Sequence, residues 1–209
     1  MSLVYNDTVL AYIPFAGGVL CATVLLVGFA ATAFTDSYRF WPPGTDEGKR
    51  RVYLFCSNGF LLCTLSTTVL DAGSVTIPLW SRVVGGVVVV FAVGLLMRSA
   101  SDLGEEETEG RVGELRTDGL YRYTRNPQNL GGILFFSSLA VVSASLLVAI
   151  LASAVTIWMV VQSRIEEPWL REQYDGYAEY ARTVPRFIGI RSVRRVVETI
   201  RAGRTDTDS

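Results

Sequence analysis

Four long stretches of this chain carry almost no charge, and they set its architecture. Val9 to Phe34 is 26 residues without a charged side chain, and Val52 to Leu70 is 19. Pro78 to Met97 carries only Arg82, near its start. Asn126 to Ser163 is 38 residues with no charge at all. A bilayer core of about 30 Å is crossed by roughly 20 apolar residues in a helix. At about 1.5 Å per residue the last run would reach about 57 Å as one helix, nearly twice that thickness. It therefore predicts two short helices folded back on each other. Ser143-Ala144-Ser145 is the best turn within it, because serine competes for backbone hydrogen bonds. The pattern predicts an all-α integral membrane protein with five transmembrane helices at about 9–33, 51–71, 78–98, 127–143 and 145–163. The last two form a helical hairpin, and a C-terminal cytoplasmic helix follows.

The polar segments test this count. Residues 35–51 hold Arg39, Lys49, Arg50 and Arg51; residues 98–126 hold five arginines; the part after Ser163 holds nine. The N-terminus, the 71–77 loop and the 143–146 turn hold no Lys or Arg. Five spans put every basic loop on one side, whereas four spans would strand the arginine-rich tail opposite the others. The positive-inside rule then places the N-terminus outside and the C-terminus in the cytoplasm of a cell-membrane protein. No charged leader precedes the first span, which predicts that it is retained. Asp71 and Arg82 fall near outer helix ends, where snorkelling to water suits a structural role. Residues 1–201 read as one domain and 202–209 as a disordered tail. No internal repeat supports an inverted-repeat transporter.

Composition narrows the chemistry. Half of the residues are hydrophobic and the net charge is −1, which fits a membrane protein and not a nucleic-acid partner. The chain has no histidine. A Ser-His-Asp triad and a His-ligated metal site are thereby excluded, and no metal is expected. Cys21, Cys56 and Cys63 lie in apolar runs without a C-x-x-C pair and read as small buried hydrophobes.

Two polar segments, 98–129 and 162–190, hold the candidate chemistry, and five spans put both on the cytoplasmic face. In the first, Tyr121-Arg122-Tyr123-Thr124-Arg125 precedes a helix with Asn126 at its N-cap and Pro127 in its first turn. The unpaired N–H groups of that helix start, with Arg122 and Arg125, suit an anionic group. An ordinary aromatic and arginine belt at the headgroups explains the same residues. In the second, Glu166 and Glu167 stand at the end of the last span and point about 100° apart, so at most one faces a given pocket well. Capping of a helix starting at Pro168 is the structural alternative. Tyr174, Tyr177 and Tyr180 would form one stripe on that helix, the usual form of a packing face.

Together the two segments resemble the isoprenylcysteine carboxyl methyltransferase family and its relatives, the phospholipid N-methyltransferases. The matching residues are Gly119, Tyr121, Arg122, Arg125, Pro127 and Gly131, then Glu166, Glu167 and Leu170, then Val184-Pro185-Arg186. The likeness covers about residues 95–190. Asn126 stands where the family usually has histidine, Asn129 where it usually has tyrosine, and the Tyr-rich stretch is one residue shorter. The resemblance implies an S-adenosylmethionine-dependent methyltransferase whose lipophilic acceptor (carboxylate, thiolate or lipid amine) enters from the bilayer. It implies a cofactor region over 98–190 lined by Tyr121, Arg125, Asn126, Pro127, Asn129, Leu130, Gly131, Glu166 and Glu167. Arg122, Arg125 and Glu167 are the residues it puts closest to the chemistry. The expected partners are membrane lipids and a lipophilic or lipid-modified substrate.

That reaction suits a chain without imidazole. Displacement at a sulfonium carbon releases a neutral leaving group, so positioning and exclusion of water carry much of the rate. An amine acceptor would need a base, for which a carboxylate or tyrosine serves. Two other readings fit parts of the sequence. Membrane sterol reductases share an Arg-x-Pro-x-x-Leu-Gly stretch and bind NADPH, although no G-x-G-x-x-G motif is present here. A non-catalytic membrane protein is the other.

Overall fold

A computed structural model describes residues 2–35, 37–103 and 114–205, with side chains placed from 10 to 198. The helices are α1 (Ser2–Phe34), α2 (Glu47–Leu70), α3 (Leu79–Leu103), α4 (Pro127–Ser143), α5 (Leu146–Gln173), α6 (Tyr177–Thr183) and α7 (Ile190–Thr205). A single 3-10 turn spans Gly119–Arg122, and there is no strand among the described residues. The all-α class is therefore observed. Four helices are long and apolar enough to cross a membrane, namely α1 from Leu10, α2, α3 and α5. Their faces suit lipid, since side chains such as Ile13, Leu62, Val90 and Ile157 are exposed.

The hairpin forms where the serines predict it. Ala144 takes the left-handed conformation (φ 51°, ψ 48°) that ends α4, and Ser145 caps α5 by accepting from Val148 N at 3.1 Å. The α2–α3 loop clasps this turn. Gly73 N donates to Ser143 O at 2.7 Å and Val75 N to Ala144 O at 2.9 Å. Asp71 accepts from the hydroxyls of Ser74 and Ser145, and Arg82 Nε donates to Val142 O at 2.9 Å. Both charged residues are structural, but not by snorkelling as the sequence suggested. Asp71 is buried, and its carboxyl works as an internal acceptor.

Three other expectations change. The last long helix does not stop near 163 but runs to Gln173, so Pro168 lies inside α5 and starts no new helix. A proline inside a helix removes one backbone bond. Burial of Glu167 and Trp169 on either side of it holds the helix together. Capping by Glu166 and Glu167 is thereby excluded. The tyrosine stripe is split, because Tyr174 ends α5 while Tyr177 and Tyr180 sit on α6. The tail expected from 202 is helical to Thr205; residues 206–209, like 104–113 of the first polar segment, lie outside the described residues.

The core gathers Leu25 and Phe29 of α1, Phe60 of α2, Phe136 of α4, and Leu151, Val155 and Trp158 of α5. Phe60 meets the rings of Phe136 and Trp158 edge-on at 5.3 and 5.7 Å. Phe40 and Trp41, from the α1–α2 loop, are buried in the same cluster. This loop fixes the open end of the bundle, where the polar segments collect.

Replacing Asp71 by Ala leaves the buried Ser145 hydroxyl, and the exposed Ser74 hydroxyl, without their acceptor. The expected cost is about 1–3 kcal/mol. Asp71→Asn, which keeps an acceptor oxygen, should recover much of it. Thermal unfolding of the two variants in one detergent checks both outcomes.

Candidate functional site

The site is built on backbone anchors. Gly119 begins the 3-10 turn at φ +52°, a conformation that costs glycine little. A Cβ there would meet the Asp102 carboxylate at 2.3 Å. The contact is close because Leu120 N donates to Asp102 Oδ2 at 3.1 Å, pinning the turn to the end of α3. The next residues are held by the irregular segment after α6. Arg125 N donates to Pro185 O at 3.0 Å. Thr124 Oγ1 and Asn126 Nδ2 donate to Arg186 O at 2.9 and 3.1 Å. Tyr180 OH donates to Tyr121 O at 2.7 Å. Asn126 does stand at the N-cap before Pro127, but its side chain reaches Arg186 and does not cap the helix.

At the centre lies one carboxylate between two guanidiniums. Glu167 Oε1 is 2.6 Å from Arg125 Nη1. Arg186 meets the same carboxylate in fork geometry, with Nε at 2.9 Å and Nη2 at 2.7 Å. The Arg125 and Glu167 side chains are only 10% and 11% exposed, so this pair is largely shielded from solvent. The hydrogen-bonded Glu167 carboxylate raises the pKa of Arg186. Tyr177 OH lies 3.4 Å from Arg125 Nη1. Burial, with the nearby Glu167 charge, pushes its phenol up to about 12 and keeps it protonated.

Beside this cluster lies a cavity of about 110 Å³. Of the residues expected at a cofactor, it is lined by Tyr121, Arg125, Asn126, Asn129 and Glu166. Glu167 is turned away into its two arginines, so the adjacent carboxylates divide as their angular separation requires. Pro127, Leu130 and Gly131 do not line it. Gly131 serves close packing, because a Cβ there would lie 2.9 Å from Leu96 Cγ. Arg122 does not line it either, and its guanidinium sits over the Tyr123 ring at 5.7 Å. All three tyrosines of the supposed packing face, Tyr174, Tyr177 and Tyr180, do contribute to the wall.

Several lining residues carry no motif signal. Trp41 comes from the α1–α2 loop, far away in sequence. Its ring stacks on Tyr53 at 4.0 Å, and Tyr53 OH accepts from Gln162, which also lines the cavity. Trp169 and Arg116 complete a wall that is aromatic and charged together. An arginine in the Val-Pro-Arg stretch was the only hint of the Glu167 clamp. Two buried arginine nitrogens that line this cavity, Arg116 Nε and Arg125 Nε, have no hydrogen-bond partner among the described residues. The Trp41 indole N–H faces the Glu166 carboxylate across the same cavity. Unpaired buried donors are costly.

Residues 80–176 match the model of the phospholipid methyltransferase family, PEMT. Over those residues, a little under half of the chain, the protein is similar to the phospholipid methyltransferase family. The match contains α3, the Arg125 turn, the hairpin and both glutamates. It leaves out Trp41 and Arg186. Searches among curated proteins and among solved structures give no match. That family is one of methyltransferases, and the match supports an enzyme. Among the described residues no group of three or more His, Cys, Asp or Glu side chains could hold a metal.

The clamp and the cavity should separate on mutation. Glu167→Ala leaves Arg125 and Arg186 facing each other without their counter-charge. Breaking a buried pair in this way typically costs about 3–5 kcal/mol. The expected result is a large fall in unfolding temperature for Glu167→Ala and a small one for Glu166→Ala. Equal, small shifts would contradict the clamp.

Proposed function

We propose that the protein transfers a methyl group from S-adenosylmethionine to the amine of a membrane lipid at the cytoplasmic face. One observation carries the reading: the buried, unpartnered Nε atoms of Arg116 and Arg125 line one cavity together with Glu166 and Trp41. This donor set fits the cofactor. Its carboxylate would take the arginine N–H groups, and its ammonium or ribose hydroxyls the Glu166 carboxylate. Aromatic faces of Trp41, Trp169 and Tyr121 suit a cationic sulfonium. Bound there, the cofactor would supply an electrophilic methyl carbon on a good, neutral leaving group.

The residues then have distinct tasks. Arg125 binds while Glu167 and Tyr177 hold its guanidinium in place. Arg186 fixes Glu167 and, through its backbone oxygen, Asn126. Glu166 accepts the proton that an ammonium acceptor must lose before its nitrogen can attack. The aromatic wall keeps water from the reacting atoms. The five-span topology belongs to the same proposal, with α4 as the fifth span. Its 17 residues give about 26 Å, slightly under the bilayer core, and α4 leans on α5 along the hairpin. The basic segments then share the cytoplasmic side with the cavity, and the N-terminus lies outside.

Radiolabelled methyl transfer into total membrane lipid tests this reading. Intact protein should label a lipid amine, and Glu166→Gln should lower the rate by about 100-fold or more, the scale of lost acid–base assistance. Unchanged labelling in the variant removes Glu166 from the proposal. No labelling of any lipid by intact protein overturns the acceptor class.

A further inference from the structure

The C-terminal helix α7 has two unlike sides, and neither is explained by methyl transfer. Ile190, Val193 and Val197 recur at helical spacing, with Val196 beside them. All four are exposed, Ile190 at 90%. Ile188, just before the helix, is exposed as well. Arg191, Arg194 and Arg195 recur on another side, and Arg182 of α6 joins them around an open groove. The carboxylate within that groove is Glu198, paired with Arg194 at 3.0 Å, so basic charge dominates.

The helix is anchored along the line between these sides. Ser192 Oγ donates to Tyr123 O at 2.6 Å and Arg195 Nη1 to Arg122 O at 2.5 Å. Arg191 donates to Arg182 O. Tyr123 stands four residues before Pro127, the first residue of the hairpin. α7 is therefore held at the level where a lipid-facing hairpin leaves the polar segments. An apolar strip bordered by arginines at that level is complementary to one surface, a bilayer bearing negative headgroups. A protein partner would meet an apolar strip without needing the excess positive charge.

We propose that α7 is an interfacial helix: Ile190, Val193 and Val197 enter the acyl boundary, and Arg182, Arg191, Arg194 and Arg195 hold the headgroups of anionic phospholipids. Long arginine side chains reach the headgroups while the apolar strip stays below them. The helix would thereby place the Arg122–Arg125 turn, and with it the cavity, against the lipid surface. The inference rests on the chain residing in a bilayer and not on the methyl-transfer reading, so each can fail alone.

The test uses the full chain in nanodiscs of phosphatidylcholine, with or without phosphatidylglycerol. Cys21, Cys56 and Cys63 are replaced by Ala, and a nitroxide is attached at V193C or, on the polar side, at E198C. With phosphatidylglycerol present, the label at 193 should lose several-fold accessibility to a water-soluble nickel complex relative to 198. R191Q/R194Q should remove that difference. Equal nickel accessibility at both positions in both bilayers overturns the proposal, as does equal burial of 193 with and without phosphatidylglycerol. Amide hydrogen exchange of unmodified protein over residues 190–198 supplies the same contrast without any substitution. Exchange should be several-fold slower with phosphatidylglycerol, and identical rates overturn the proposal.

Discussion

The active end of this molecule depends on a single carboxylate. Glu167 binds Arg125 and Arg186 at once, and these three residues belong to three separate pieces of chain. Arg125 stands just before α4, Glu167 lies in the last turns of α5, and Arg186 follows α6. Removing charges from water is expensive, and one good ion pair does not always repay it. Here the fork geometry of Arg186, the second pair with Arg125 and the backbone bonds to Pro185 and Arg186 act together. They turn three loosely ordered ends into one wall. The cavity exists because that wall is fixed.

The clamp also settles how two neighbouring glutamates differ. They are one residue apart on a helix, so they diverge, and only Glu166 faces the cavity. Glu167, which the family resemblance put near the chemistry, acts through Arg125. It makes its hydrogen bonds to the two arginines and does not line the cavity. The residue that lines the cavity and the residue that clamps its wall are adjacent in sequence.

The helices were legible in the sequence because apolar runs and turn residues act locally. The charge-free runs mark α1, α2 and α3, and Ser143-Ala144-Ser145 marks the hairpin. The end of α5 was not legible. Pro168 suggests a boundary, but tertiary burial of Glu167 and Trp169 overrides it. Five of the nine residues expected at a cofactor line the cavity, namely Tyr121, Arg125, Asn126, Asn129 and Glu166, which lie close to one motif or the other. Trp41 was hidden, since its contribution depends on how the α1–α2 loop folds over Tyr53 and Gln162. No spacing in the sequence encodes that approach. Gly131 shows the reverse error: a motif glycine that looks like a ligand contact is there to let α4 pack against Leu96.

The account stands or falls on what fills the cavity beside Glu166. Calorimetric titration of purified protein with S-adenosylhomocysteine, with NADPH as the comparison, asks this directly. Saturable binding of one S-adenosylhomocysteine per chain and none of NADPH is the predicted result. Absence of binding at millimolar S-adenosylhomocysteine, or saturable binding of NADPH in its place, would contradict it.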